Sequence, residues 1–241
     1  MRERTAPIQR VRPANRRTAH PRSLRTEVNL GVDVQAALTV LGRLPSRAGV
    51  SRGDLYGANL TGASLVDANL TKAGLGWANL TQANLYRANL TQARLGWADL
   101  TGAVLIEADL TGASLVGANL TGAGLSAANL TEALLSEANL TKGFLSEANL
   151  TGASLVGANL TGASLVGANL TRAFLDQADL TGASLVGANL TEADFFRTNL
   201  GTAKGLVQEQ LDGAIGDGQT VLPAGLRRPE SWSHSQGREP G

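Results

Sequence analysis

The chain has 241 residues, a net charge of +1, no cysteine and two histidines, His20 and His234, near its two ends. Disulfide frameworks and thiol chemistry are thereby excluded, and histidine-based catalysis or metal binding is left without residues in the middle of the chain. The charge is uneven: residues 1–52 hold 11 Arg against 3 acids (+8), residues 53–200 hold 6 basic and 12 acidic residues (−6), and residues 201–241 come to −1.

Residues 1–30 are rich in Arg, Pro and Thr and poor in bulky apolar groups. They bury too little surface to offset the entropy of ordering, so a disordered arm is expected. Its arginines read either as a solvated tail or as a tether to nucleic acid. Arg16-Arg17 has the form of a twin-arginine signal, but no apolar stretch follows it, and a cytoplasmic location is expected. Val34, Ala37, Leu38 and Leu41 make a helical stripe between a plausible N-cap, Asp33, and a stop, Pro45. A short helix over 34–43 is predicted within a capping and linking segment, 31–52.

From Leu55 to Leu200 a large apolar residue stands at every fifth position, thirty in all: 29 leucines and Phe195. Two residues before each stands alanine, except at Gly53, Gly143 and Thr198. A period of five is neither helical nor that of a plain strand, and a fixed short period marks a solenoid, here over 53–202. The string Thr-Gly-Ala-Ser-Leu-Val-Gly-Ala-Asn-Leu begins identically at 111, 151, 161 and 181. Residues 148–171 carry no charge, yet their Asn, Thr, Ser and Gly make a membrane span unexpected.

Units such as Ala58-Asn59-Leu60-Thr61 and Ala98-Asp99-Leu100-Thr101 resemble the pentapeptide repeat family, whose unit is Ala-(Asp/Asn)-Leu-X-X. The segments Asp33–Gly42 and Glu209–Pro223 resemble flanks of actinobacterial, hence bacterial, members. The resemblance implies an all-β fold: a right-handed quadrilateral β-helix with four units per coil and short flanking α-helices. Residues twenty apart then stack, giving Asn59, Asn79 and Asp99 one ladder and Thr61, Thr81 and Thr101 another.

After Leu200 the register breaks. Leu206, Leu211 and Ile215 suggest an apolar stripe on a helix near 207–214, within a C-terminal capping segment, 203–226. Such a segment either covers the open leucine stack or pairs two molecules; its glycines favour the cap and a monomer over a homodimer. Residues 227–241 read as a flexible tail.

No cluster of residues suggests catalysis. Glu137 and Glu147 are ten apart, on opposite faces, and Glu107 and Asp109 span a corner. No catalytic residue, cofactor, metal or small-molecule substrate is expected. The candidate interaction face is Tyr56, Trp77, Arg94 and Trp97: the tryptophans are twenty apart beside Gly76 and Gly96, and Trp, Tyr and Arg dominate contact hot spots. The pair reads either as a contact site or as a stack that merely shields itself from water. The flat Gly/Ser/Val stretches at 111–120 and 151–190 are further docking surface. The function expected is a non-enzymatic scaffold binding an unidentified protein. The alternative is a DNA mimic that binds DNA gyrase, as quinolone-resistance members of the family do. Charge weighs against it, since about 36 Å of duplex carries about twenty negative charges.

Overall fold

A computed structural model describes residues 55–234. The expected arm over 1–30 and the capping helix over 34–43 lie outside the described residues, as do residues 235–241.

The fold follows from one local device repeated. In each unit the leucine carbonyl accepts the N–H of the alanine three residues on, as in Ala63 to Leu60 at 3.0 Å. Between them the second of the two turn residues has φ near +60°, the geometry of a type II turn. This holds at every fifth residue from Gly57 to Arg197, where the turn residue is as often charged or aromatic as glycine. The turn bends the chain by one side, and the next leucine again points inward.

Coils are joined by hydrogen bonds along the axis. Leu60 N–H donates to Asn79 O at 2.7 Å, Asn79 N–H to Ala58 O at 2.9 Å, and Gln82 N–H to Thr101 O at 2.9 Å. The parallel bridges run Asn59 to Asn79, Ser64 to Asn84, Asn69 to Asn89 and Gly74 to Arg94, each a step of twenty, and the pattern continues to Ser184 and Lys204. Four units thus complete a coil. Each side contributes a single bridging residue, because only one outward position stands between two inward ones. The result is an all-β solenoid of isolated bridges, without long strands.

The inward leucines and alanines fill the axis, and those of the middle coils have essentially no exposure. Phe195 replaces leucine near the end and is buried; Thr198 replaces alanine, and its buried hydroxyl donates to Leu175 O at 2.7 Å.

The C-terminal segment differs from its expectation. The helix is shorter than 207–214: α1 spans Gln208–Asp212. Leu211 is buried beneath it and Leu206 partly so, but Ile215 is not on the helix. Ile215 rejoins the ladder over Asp194, as Val221 does over Asn199. α1 therefore takes the place of one side of a final coil. Gln210 closes the rim below, its Nε2 donating to Ala188 O at 2.7 Å and Leu185 O at 3.1 Å.

The tail expected to be loose from 227 onward is not so through its described part. Glu230–His234 form a 3-10 helix, and Trp232 is 2% exposed. Its Nε1–H donates to Ala214 O at 2.9 Å and its ring lies over Gly216. An indole both fills the apolar end of the stack and satisfies a carbonyl there, which a leucine could not.

Candidate interaction surface

A ten-residue sequence period on a twenty-residue coil makes opposite sides alike. Two opposite sides carry the Asn-Leu-Thr units; the other two carry every variable unit. On the first pair, Thr101, Thr111, Thr131, Thr151 and Thr181 each donate a hydroxyl to the Oδ1 of their own unit and accept from the asparagine of the next coil. Thr131 Oγ1 to Asn129 Oδ1 is 2.6 Å, and Asn149 Nδ2 to Thr131 Oγ1 is 2.9 Å. Where aspartate replaces asparagine it has no N–H to donate, and the hydroxyl below turns to donate upward, as Thr91 does to Asp109 Oδ2 at 3.2 Å. Burial disfavours the charge on Asp179, yet hydrogen bonds from Thr181, Thr161 and Asn199 hold its carboxyl below the usual range. These sides spend their polar groups on one another and are structural ladders.

Along the repeats, exposed aliphatic and phenylalanine side chains belong to the variable units. Val166, Val186 and Phe144 stand on one variable side; Leu134 and Phe174 stand on the opposite one. The valines fall within the 151–190 stretch read from the sequence. Phe174 falls within it too, though it was not singled out, and Phe144 and Leu134 lie outside the stretches read; each of the three occupies the bridging position, directly before an inward leucine, where Asn or Ser usually stands.

The aromatic candidates gather at one corner. Trp77 and Trp97 stack with ring centroids 5.9 Å apart and planes 20° from parallel. Both occupy the left-handed turn position, with φ of 58° and 59°, so they project from the corner and not from a flat side. Tyr56 lies over Gly76: a Cβ there would stand 3.3 Å from its ring, so the wall at Gly76 is covered. Arg94 is exposed and bridges Gly74 and Ser114 on the adjoining side. The cation–π contact among the described residues falls elsewhere, with Arg87 over Tyr86 at 5.9 Å.

Ion pairs run mainly between coils. Arg197 clamps Asp176 through Nε and a terminal nitrogen at 3.0 and 2.6 Å, and Arg172 meets Glu192 at 2.6 Å. Asp217 is the last corner group. Burial disfavours its charge, but the N–H groups of Arg197, Gln219 and Thr220 and the Thr220 hydroxyl outweigh it and depress its pKa. Its Oδ1 takes the Arg197 N–H that in lower coils donates to the next coil's carbonyl.

A shallow depression where α1 crosses the side is lined by Ala188, Asn189, Thr191, Glu209 and Gln210. Among the described residues no group of three His, Cys, Asp or Glu side chains is placed to hold a metal ion. No helix among them is long and apolar enough to cross a membrane.

The family model for pentapeptide repeats matches in eight copies over residues 54–87, 88–126, 128–165 and 163–201. No curated protein sequence matches the chain. Among solved structures, HetL from the cyanobacterium Nostoc sp. strain PCC 7120 is 32% identical, with 73% of this chain and 83% of that chain covered and a TM-score of 0.45; it is described as involved in heterocyst differentiation regulation. A trypsin-treated variant of QnrB1, a plasmid-mediated fluoroquinolone resistance protein, is 19% identical over 75% of this chain and 87% of that one, with a TM-score of 0.62. Rfr23 from the cyanobacterium Cyanothece 51142 is 38% identical over 45% of this chain and 63% of that one, with a TM-score of 0.33.

Proposed function

The chain belongs to the pentapeptide repeat family, and from that premise we propose that it is a non-enzymatic bacterial scaffold of the cytoplasm that binds another protein through its two variable sides and its aromatic corner. One observation carries the reading. The axis is filled by leucine and alanine, while large apolar groups, Trp77, Trp97, Phe144, Leu134 and Phe174, stand half-exposed on a regular surface. A filled rod offers no cleft to shield a reaction, whereas exposed aromatic and aliphatic groups on a rigid support are what a docking surface requires. The coil is taken as right-handed, since parallel crossovers are right-handed in about 98% of cases.

The alternative, a DNA-mimicking binder of a type II topoisomerase, has the fold it shares with QnrB1 in its favour. The net charge of −6 over residues 53–200 is far below that of duplex DNA of equal length. Affinity capture with the wild type and with a Phe144→Ser, Phe174→Ser variant tests the scaffold reading. A specific protein retained by the first and lost from the second supports it; a capture profile unchanged by these substitutions and by Trp97→Ala overturns it. Inhibition of gyrase supercoiling by the purified chain would favour the alternative.

A further inference from the structure

The two variable sides differ in the charges that bound them. Phe144, 56% exposed, stands near the middle of one. Gly124 lies below it in the ladder and Ser164 and Ser184 above, so the ring rises from an otherwise low surface. This side runs between two corners. At the first, the left-handed turn residue level with Phe144 is Lys142; at the second it is Glu147. Both are exposed, and neither has an ion-pair partner among the described residues. From 62 to 182 the other turn residues of the first corner are glycines and Gln82, so Lys142 is its one charge there. The opposite side lacks this polarity, since Leu134 stands between Glu132 and Glu137, both exposed.

Two identical rods packed side against side are related by a twofold axis that runs either along them or across them. An axis along the rods sets each coil beside the same coil of the second copy, with first corner facing second corner. Lys142 then faces Glu147 of the second copy, and symmetry repeats the pair. Phe144 faces Phe144, and the low surface at Gly124 and Ser164 leaves room for the rings to stack offset. Packed sheets lie about 10 Å apart, a gap that an extended lysine and an extended glutamate close together. No like charges meet along the first corner from 62 to 182. Lys204, at the top of the side, meets its own kind, but at the end of the rod it has water to turn into. An axis across the rods through Phe144 sets Lys142 toward Lys142 and Glu147 toward Glu147. The Leu134 side meets itself badly either way, because Glu132 and Glu137 have the same sign.

We infer that the Phe144 side binds a second copy of this chain in a parallel, side-by-side dimer, closed by two Lys142–Glu147 pairs around the Phe144 contact. This goes beyond the scaffold reading. It gives one variable side to self-association and leaves the Leu134 side and the aromatic corner for another protein.

Sedimentation velocity of the purified full chain over a concentration series tests it. The expected result is a monomer–dimer equilibrium that moves toward monomer as salt rises. Phe144→Ser weakens the dimer at least about thirtyfold, as loss of a central anchor does; serine already stands at the equivalent positions 164 and 184, so the fold is kept. Lys142→Glu and Glu147→Lys each bring like charges together and weaken it about tenfold. Glutamate and lysine both occupy this turn position elsewhere, as at Glu132 and Lys72, so these variants fold too. The double variant returns to the wild-type constant, and an equal mixture of the two single variants forms a heterodimer. A chain that stays monomeric at about 100 µM overturns the inference, as does a dimer indifferent to Phe144→Ser. Failure of the double variant to recover refutes the parallel arrangement. A monomer leaves the scaffold reading standing, because that reading is tested by capture of another protein.

Discussion

At the corners the backbone adopts a left-handed conformation that costs an ordinary residue about 1–2 kcal/mol, and 17 non-glycine residues from Asp67 to Arg197 nevertheless accept it. The hydrogen bonds on either side leave no alternative: Trp77 N–H, for instance, is held by Gly96 O at 3.0 Å. From sequence alone an outward glycine such as Gly117 looks freely replaceable unless its φ is positive. Its φ is +64°, and the Trp97 ring lies on it. Gly122 has the same φ but open space around it. Gly122→Ser is therefore expected to cost only the conformational term, about 1 kcal/mol, and Gly117→Ser about 1–3 kcal/mol more, because the ring has to move. Thermal melts rank the two, and a change in Trp97 fluorescence accompanies only the second. Equal melts would mean that the Trp97 ring does not rest on Gly117.

At the level of elements, the C-terminal cap is where acid acts. The folded pKa of Asp217 is depressed by its four hydrogen-bond donors. Its contribution to stability is thus present above the ordinary carboxylate range and is lost as pH falls through the lowered folded value. Acidification below about pH 4 is expected to loosen the cap, and Asp217→Asn removes much of that dependence while weakening the cap at neutral pH. Stability against pH, compared between wild type and variant, is the measurement. Trp232→Ala is expected to cost about 3–5 kcal/mol, as large aromatic truncations do, and also leaves Ala214 O without its donor. If Trp232→Ala melts like the wild type, the tail does not close the rod.

For the whole molecule, stability is shared. No coil buries its leucines alone; each uses its neighbours, so damage spreads along the axis. Leu125 lies mid-rod and is fully buried. Leu125→Asp places an unpaired charge in that stack and is expected to unfold well beyond its own coil, because a buried charge without a partner costs several kcal/mol. Circular dichroism decides: loss confined to about one coil's signal, or a melt like the wild type, would contradict the shared core.

The five-residue period determined on its own which side chains face inward. An apolar residue at every fifth position with alanine two before it has one consistent burial, and Leu60 through Leu200 follow it. The sequence also marked Tyr56, Trp77, Arg94 and Trp97 as unusual in otherwise uniform units. A period within the unit does not count units per coil, and only the bridges between residues twenty apart settled that four close a turn. From that closure follow the pairing of opposite sides, the Asn–Thr relay across coils and the stacking of Trp97 on Gly117. Trp232 was unreadable for the same reason. Its neighbours in sequence are polar and loop-like, and its burial against Ala214 and Gly216 depends on where the chain has already returned. Local pattern fixes the direction of a side chain; what that side chain meets depends on chain brought back from far along the sequence.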